Sequence, residues 1–485
     1  MNVPVPDTVA IPDEFRSCFD TQRAAYLAAP APGLQERRAD LAALARLLKE
    51  NKDALVAAIN ADYGNRSEFE TLFAEYFVVL ETIAHTSKHL KKWMKPQRRH
   101  IDVMTYPGAR NRVIPQPLGV VGVIVPWNFP LNLSFCPLAA ILAAGNRAMV
   151  KMSENSQHLA ALLAKLSPNY LPTEKLAFFE DGGGPNGSGR GPAFSSLPFD
   201  HLLFTGSGTT GRAVMANAAR NLTPVTLELG GKAPAIVAPD FPIEAAAKRI
   251  LWVKMLNAGQ ICTNVDYVFV PKGTEDEFAA HCAKLFKKRY PDINGPDFTS
   301  IIDPRAFDRL HQTLEDARAK GARLIDLSAG QAPDESRRKF PPHLVLDPTD
   351  DMVLMQREIF GPILPIKTYT NRQEVADYIN ARDRPLALYP FTKDAPLRDF
   401  YISHVMSGGV SVNEALLHVG QHDLPFGGVG ASGMGHYHGR EGFYAFSKLR
   451  PVFYQGPFSP IQLLLQPPYS GLPMKILRAM LRMRT

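Results

Sequence analysis

The chain has 485 residues, more than one hydrophobic core usually holds, so at least two domains are expected. Hydrophobic residues make up 45%, charged residues 21% and aromatic residues 9% of the chain, which excludes a disordered chain, a fibrous repeat and a disulfide scaffold. The formal net charge is +7, but six basic and no acidic residues lie between Lys448 and the end, so we expect no nucleic-acid-binding surface on the nearly neutral main body.

The cysteines and the apolar segments favour a cytoplasmic protein. Cys18, Cys136, Cys262 and Cys282 form no C-x-x-C pair, and no histidine cluster has zinc-ligand spacing, so neither a disulfide framework nor a metal site is expected. The first residues lack a basic start followed by an apolar stretch, so no secretory signal is predicted. Prolines and polar residues interrupt the most apolar region, 118–150, which argues against a membrane-spanning helix.

The first part of the chain predicts a helical layer from about residue 35 to 95, followed by a hairpin. Apolar residues at helical spacing predict two buried faces, one formed by Leu41, Leu44, Leu47 and Leu48 and the other by Phe69, Leu72, Phe73 and Tyr76. Next, two extended runs flank Pro107-Gly108 and predict a hairpin that protrudes or pairs.

From Val120 onwards, short apolar runs alternate with helical segments. The runs VVGVIVP, RAMVKMS, HLLFTGS and APAIVAP are candidate strands, and LAAILAAG is helical, which predicts a mostly parallel, doubly wound α/β sheet. A second α/β stretch has YVFVP, HLVLD and PILPIKTY as candidate strands and residues 275–288 and 306–320 as helices. It is long enough to form its own domain.

Two further segments have unusual composition. The stretch DGGGPNGSGRGP at 181–192 is typical of a flexible loop. The C-terminal LPMKILRAMLRMRT carries apolar residues on one side and Lys and Arg on another, which predicts a basic amphipathic helix. Such a helix packs on the body of the protein, remains a solvated end or contacts a membrane surface, and the sequence favours the first two.

The pattern G-x-G-x-x-G occurs twice, at residues 206–211 and 428–433. Only the first match follows an apolar strand, HLLF, and precedes a helical segment, the context in which backbone N–H groups at a helix start bind a pyrophosphate. A structural turn remains the alternative interpretation.

Three residues have side chains suited to acyl chemistry. Cys262 in NAGQICTN, Glu228 in LELGGK and Asn128 in PWNFP are a thiol, a carboxylate and an amide, which correspond to a nucleophile, a base and an oxyanion donor. A buried, inert cysteine is the alternative for Cys262. Spacing alone does not bring the three residues together.

These motifs resemble those of the aldehyde dehydrogenase superfamily. PWNFP, LELGGK, GQICTN, EIFGP at 358–362 and PFGGVGASGMG at 425–435 follow the same order and similar separations, over residues 35–455. TKDAPLRDFY and GMGHYHG are most similar to the branch that contains fatty-aldehyde, aromatic-aldehyde and coniferyl-aldehyde dehydrogenases. The resemblance implies an α/β fold with a Rossmann-type dinucleotide-binding domain, an α/β catalytic domain and a small oligomerisation hairpin.

The resemblance also implies a domain plan and partners. The expected parts are a dinucleotide-binding domain (1–97 and 118–229), a catalytic domain (230–420), oligomerisation elements (98–117 and 451–468) and a basic tail (472–485). A homodimer that takes a small-molecule aldehyde and no nucleic acid is expected.

By the same resemblance, Cys262 is the nucleophile, Asn128 and the Cys262 backbone N–H hold the oxyanion, and Glu228 is the base for deacylation. The implied reaction oxidises an aldehyde to its acid through a Cys262 thioester, with NAD or, alternatively, NADP. The expected substrates are aromatic propenals such as coniferaldehyde, or medium-chain and long-chain aliphatic aldehydes.

Seven positions match family residues that contact the dinucleotide: Trp127, Lys151, Glu154, Gly206, Ser207, Glu358 and Phe360. Lys151 and Glu154 are expected at the adenosine ribose, Ser207 at the pyrophosphate, and Glu358 with Phe360 at the nicotinamide ribose. As alternatives, Phe360 is a core residue and the charged residues are surface groups.

Two departures from the family pattern stand out. Met152 replaces the usual proline after Lys151, and we expect little consequence from it. In FFEDGGGPNGSGRGP, the strand ends in Glu180-Asp181 and glycines replace a short helix, so we expect a loop that is mobile without cofactor. A catalytically silent member of the fold and a coenzyme-A-acylating dehydrogenase are the competing functions, and Glu228 argues against the latter.

Overall fold

The computed structural model describes residues 9–103, 105–182, 189–457, 459, 462 and 466–484, and three β-sheets organise them. The expected loop at 181–192 lies partly outside these residues, at 183–188, and its last two residues already belong to a short helix, Gly191–Ser195.

The first sheet has six strands in the spatial order Gly433–Met434, Val225–Leu229, His201–Gly206, Val120–Ile124, Arg147–Lys151 and Leu176–Phe179. All neighbours are parallel except Gly433–Met434, which runs antiparallel to its partner. The order reverses between Val120–Ile124 and His201–Gly206, the place where doubly wound sheets bind ligands. The predicted doubly wound sheet is thereby confirmed.

Helices cover both faces of this sheet: Asp13–Ala28, Asn132–Ala144, Gln157–Leu166, Gly191–Ser195 and Gly208–Ala219. The helix Asn132–Ala144 is almost entirely buried, and Gly145 ends it in the left-handed conformation (φ 90°). The Ser207 side chain caps Gly208–Ala219 by accepting a hydrogen bond from the Thr210 N–H at 3.2 Å. The first G-x-G-x-x-G pattern therefore joins a strand to a helix, as predicted.

The predicted N-terminal helical layer consists of Leu34–Glu50, Lys52–Tyr63, Glu68–Glu70, the π-helix Thr71–Phe77 and Val78–Trp93. The face formed by Leu41, Leu44, Leu47 and Leu48 is fully buried, as the spacing predicted.

The second predicted face of this layer is wrong at two positions. Phe69 is 70% exposed and Phe73 is 38% exposed, whereas Leu72 and Tyr76 are half-buried. In the π-helix the inward positions are instead Thr71 and the carboxylate Glu75. Hydrophobic periodicity misses this arrangement because it counts Glu75 as a solvent-facing residue.

The second sheet has seven strands in the order Arg323–Asp326, His343–Leu346, Ile363–Tyr369, Tyr267–Pro271, Pro234–Val237, Ala387–Phe391 and Gly409–Val410. Only the first pair is antiparallel. Its helices are Ile243–Met255, Glu275–Arg289, Pro304–Ala319, Val353–Gln356, Arg372–Asn380 and Ala395–His404. The helix Pro304–Ala319 begins where a helix is favoured, with Asp303 accepting from the Ala306 N–H at 2.7 Å and proline at the first position.

The third sheet is antiparallel and small, in the order Gln97–Arg99, Arg110–Pro117 and Ser447–Tyr454. Its first two strands are the predicted hairpin. The third strand follows the helix Gly439–Ala445 and forms an edge that leaves Leu449 and Phe453 exposed.

A last helix, Leu472–Arg484, occupies the predicted amphipathic segment. Its apolar face is not packed on the body, since Leu472 is 69% exposed and Leu477 is 49% exposed. Within the described ranges, none of the helices combines the length and the apolar character needed to span a bilayer.

Candidate active site

Two cavities meet at Cys262. One, of about 430 Å³, is bordered by Trp127, Glu228, Glu358 and Phe360, and the other, of about 120 Å³, is mostly apolar. Cys262 borders both cavities. Its sulfur can therefore be reached by one ligand from each side.

The loop before Cys262 has an unusual backbone. Asn257, Ala258 and Gly259 have successive positive φ values of 53°, 49° and 79°. A Cβ on Gly259 would collide with the carbonyl group of Gly361, in the EIFGP motif. Glycine is thus required here both by conformation and by close approach, and the contact holds two of the predicted motifs against each other.

The Cys262 thiol is held neutral in the absence of ligands. Burial raises the pKa of this thiol to about 12, and the carboxylates of Glu358 and Glu228 add to the shift. A neutral thiol is a weak nucleophile, so a base must take its proton for the sulfur to attack a substrate.

Glu228 lies on the strand Val225–Leu229 and is buried. Neither carboxylate oxygen has a hydrogen-bond partner of ordinary geometry among the described residues. Burial raises the pKa of the Glu228 carboxyl well above its usual range, and the Gly428 backbone N–H opposes this shift. A carboxyl with a raised pKa can accept a proton near neutral pH, as a general base must.

The second G-x-G-x-x-G pattern supports this strand rather than a phosphate. Gly433 pairs with Glu228 in the sheet and has a positive φ of 148°. A Cβ at this position would collide with the Leu227 carbonyl oxygen, so a larger residue does not fit. The glycines of this motif bring one backbone close to another.

Asn128 lies beside the Cys262 loop. Its Nδ2 donates to the Gln260 carbonyl at 3.2 Å, which leaves its second N–H available. The backbone carbonyl oxygen of Asn128 accepts from Tyr63 Oη at 3.0 Å and from an Arg66 Nη at 2.8 Å. The structure thus brings the three predicted chemical groups, Cys262, Glu228 and Asn128, to one place.

Sequence reasoning missed the buried ion pair that supports Asn128. An Arg66 Nη lies 3.0 Å from Glu75 Oε1, and both side chains are 0% exposed. Glu75 Oε2 also accepts from the Leu131 N–H at 2.7 Å, at the start of the helix that follows PWNFP. The one signal in the sequence was a carboxylate, Glu75, at a position of the helical segment that faces inward.

A second buried carboxylate, Glu70, supports the Cys262 loop. Its Oε1 accepts from the Asn257 N–H at 3.0 Å, and its Oε2 accepts from Thr299 Oγ1 at 2.6 Å. The short helical segment around residues 66–75 therefore anchors both sides of the site.

A polar cleft of about 610 Å³ opens at the carboxyl ends of Val120–Ile124 and His201–Gly206, at the switch point of the six-stranded sheet. It continues into the 430 Å³ cavity, since both are bordered by Trp127, Gly206 and Ser207. Such a cleft has the position at which dinucleotides bind.

The residues of this cleft fit a dinucleotide. Thr205 Oγ1 and Glu358 Oε1 are buried and have no hydrogen-bond partner in the described part of the chain, so both atoms can bind a polar group of a ligand. A Cβ on Gly211 would lie 2.7 Å from Leu229 Cδ2, so glycine lets the capped helix pack closely on the sheet.

At the expected ribose end, Lys151 is buried and Glu154 is exposed, and both border the cleft. The Lys151 ammonium is already engaged in an ion pair with Asp181, which also accepts a hydrogen bond from the Arg190 N–H. Sequence reasoning did not anticipate this partner for Lys151.

At the other end, Glu358 and Phe360 are half-buried at the cavity rather than core or free surface residues. The Phe360 ring makes a T-shaped contact with Trp127 at 5.5 Å, and Arg309 donates to the Phe360 carbonyl at 3.3 Å. Burial, with Asp266 adding to it, raises the pKa of Glu358 to about 8.

Among the described residues, no group of three or more His, Cys, Asp or Glu is arranged to hold a metal ion.

Comparisons with known proteins agree with this geometry. The sequence model of the aldehyde dehydrogenase family matches residues 10–452. A Pseudomonas aeruginosa protein named probable coniferyl aldehyde dehydrogenase is 47% identical over 94% of both chains, and the coniferyl aldehyde dehydrogenase of a Pseudomonas species is 44% identical over the same share.

Among solved structures, the substrate-bound state of Staphylococcus aureus AldH superposes with a TM-score of 0.88 at 32% sequence identity, covering 96% of this chain and 99% of that one. The chain thus belongs to the aldehyde dehydrogenase family, whose members are NAD(P)-dependent oxidoreductases that convert aldehydes to carboxylic acids.

Proposed function

We propose that this chain oxidises an aromatic propenal of the coniferaldehyde type to its carboxylic acid, with NAD, through a thioester on Cys262. The observation that carries the proposal is the position of Cys262, at the junction of the apolar cavity and the 430 Å³ cavity, which continues into the polar cleft. The names of the two Pseudomonas relatives support the substrate class.

The polar cleft is the proposed cofactor site. Glu154 and Lys151 are assigned to the adenosine ribose, Gly206 and Ser207 to the pyrophosphate. Trp127, Glu358 and Phe360 would hold the nicotinamide end. The bound dinucleotide supplies the hydride acceptor.

The first chemical step belongs to Cys262. Its thiol gives its proton to solvent, and the resulting thiolate attacks the aldehyde carbon to form a tetrahedral thiohemiacetal whose oxygen carries the negative charge. The free N–H of Asn128 and the Cys262 backbone N–H donate to the resulting oxyanion. Loss of one such donor typically lowers the rate about a hundredfold to a thousandfold.

The second step belongs to Glu228. After oxidation, the acyl group remains on the sulfur as a thioester, and Glu228 takes a proton from a water molecule that attacks the acyl carbon. The acid is released and the thiol is restored. The unpartnered carboxylate and its raised pKa support this assignment.

The test traps the acyl group. Glu228→Gln, mixed with NAD and para-hydroxycinnamaldehyde, should gain the mass of one acyl group, and digestion should locate that mass on Cys262. Cys262→Ala should gain no mass and form no NADH, whereas Cys282→Ala, which removes a buried cysteine on the helix Glu275–Arg289, should behave like the parent. An adduct elsewhere, or turnover by Cys262→Ala, would refute the proposal.

Two alternatives to the proposed function are distinguished by simple assays. A silent member of the family forms no NADH with any aromatic or long-chain aldehyde. A coenzyme-A-acylating enzyme needs a thiol acceptor, so turnover in the absence of coenzyme A excludes it. The buried carboxylate of Glu228 favours water as the acceptor.

We also propose a cytoplasmic homodimer with the domain plan inferred from the sequence: 1–97 and 118–229, 230–420, the elements at 98–117 and 451–468, and the tail at 472–485. The free state of all four cysteines supports a reducing compartment. The exposed Leu449 and Phe453 on the edge strand Ser447–Tyr454 support a second copy at this edge. Leu449→Lys should then shift light-scattering mass from dimer to monomer.

A further inference from the structure

The apolar cavity beside Cys262 is bordered by a histidine ring with an unused nitrogen. His438 borders this cavity together with Cys262 and is 7% exposed. Its Nε2 has no hydrogen-bond partner in the described ranges of the chain. The ring stacks on Phe426 at 5.4 Å and contacts Tyr437 edge-on at 4.6 Å, so its orientation is fixed by packing.

The backbone at His438 is strained. Its φ of 86° and ψ of 147° fall in a region that is essentially reserved for glycine. The next residue, Gly439, also has a positive φ, and a Cβ there would lie 2.6 Å from the His422 carbonyl oxygen. A strained backbone that carries a side chain at the wall of a ligand cavity indicates that the ring itself is used.

Few side chains on the cavity wall can meet a polar group of a substrate: besides His438 and Cys262, they are Asn132, Trp252, Thr263 and Tyr437. Phe73, Phe129 and Trp252 are representative of the lining, which is largely aliphatic and aromatic. The Asn132 side-chain N–H group donates to the Ala74 carbonyl at 2.8 Å. Among these side chains, His438 is the one with a buried atom that lacks a hydrogen-bond partner in the described residues, so a substrate hydroxyl would satisfy it.

We propose that His438 Nε2 forms a hydrogen bond with a ring hydroxyl of the substrate, at the end remote from the aldehyde, and thereby selects hydroxylated aromatic aldehydes. This inference rests on the proposed function. A neutral imidazole donates or accepts according to its tautomer, and a phenolic hydroxyl complements either form. Burial, with the charges of His422 and His418, lowers the pKa of His438 to about 3, so the ring stays neutral in the working range of pH.

The test uses two substrates that differ by one hydroxyl group, para-hydroxycinnamaldehyde and cinnamaldehyde. The parent should prefer the hydroxylated aldehyde by at least about tenfold in kcat/KM, because the other leaves a buried nitrogen unpaired. His438→Phe keeps an aromatic ring and should bring this ratio to about one by losing turnover of the hydroxylated substrate alone. His438→Gln, which retains a polar group near the same position, should restore part of the preference.

His422→Phe is the matched control, since His422 lies on the preceding loop, is half-buried and does not border the cavity. It should keep the parent's ratio. A parent ratio near one would overturn the inference, as would equal losses on both substrates in His438→Phe. The ratio of the two kcat/KM values in the parent tests the inference even if His438→Phe does not fold. Failure of the parent to oxidise either aldehyde would instead contradict the proposed function.

Discussion

Removing one partner of the buried pair between Arg66 and Glu75 should destabilise the protein strongly. Both side chains are 0% exposed, and the charged atoms lie 3.0 Å apart. Glu75→Ala leaves the guanidinium of Arg66 buried without a counter-charge, a change that typically costs about 3–5 kcal/mol.

The contacts around Glu75 place the cost at the upper end of that range. Its Oε2 accepts from the N–H groups of Leu131 at 2.7 Å and Asn132 at 3.4 Å, and both donors lose their partner in Glu75→Ala. Each unsatisfied buried donor adds about 1–3 kcal/mol when taken alone, although the terms are not additive. We therefore expect a loss of about 5 kcal/mol for Glu75→Ala.

The same substitution should lower activity, because Arg66 also donates to the Asn128 carbonyl at 2.8 Å. A small displacement of the proposed oxyanion donor can cost about a hundredfold in kcat. The variant should therefore show reduced kcat with little change in the affinity for NAD, whose proposed site is the polar cleft.

Urea unfolding of the parent, Glu75→Ala, Arg66→Met and the double variant Arg66→Met/Glu75→Leu provides the assay. The double variant should be more stable than either single variant, since it leaves no unpaired buried charge. Glu315→Ala breaks an exposed pair with Arg318 and should change the midpoint only marginally. Single variants as stable as the parent would refute the reasoning.

Four further outcomes follow from the site. Glu228→Gln should give a burst of about one NADH per active site and then turn over about a hundredfold to ten-thousandfold more slowly in stopped-flow absorbance. Because burial raises the pKa of the Glu228 carboxyl, the parent's kcat should rise with pH as this group loses its proton, and a rise of the same size in Glu228→Gln would contradict that assignment. Asp181→Asn frees Lys151 and removes a negative charge from the ribose end, so calorimetric titration should show NADP binding tightened at least about tenfold relative to NAD, and an unchanged ratio would exclude this role. Gly259→Ala should fail to reach the parent's thermal midpoint, because its Cβ would collide with Gly361, and a parent-like midpoint would show that the loop adapts.

Short motifs singled out three candidate groups for acyl chemistry, and the family resemblance assigned them to one site. Cys262, Glu228 and Asn128 each sit in a short motif whose glycines or prolines have a local geometric purpose, and the structure brings the three together. The strands were predictable because both faces of a parallel sheet are buried and give continuous apolar runs.

The remaining features depend on contacts that hydrophobic periodicity does not record. Arg66 lies in the loop before the helix Glu68–Glu70 and pairs with Glu75, and periodicity counts both charged residues as solvent-facing. Because Glu75 takes an inward position of the π-helix, the predicted apolar face containing Phe69 is partly exposed. The ion pair of Lys151 with Asp181 likewise exists only once two neighbouring strands are side by side. Single-sequence patterns record neither kind of contact.

Because two cavities meet at Cys262, the proposed aldehyde site and the proposed dinucleotide site have separate entrances. The apolar cavity is bordered at its outer end by the exposed Phe73 and Leu417, whereas the polar cleft opens over the six-stranded sheet. Neither ligand has to pass through the other's entrance. Under the proposed assignment, an acid formed at the sulfur can leave through the apolar cavity while the dinucleotide is still bound in the polar cleft.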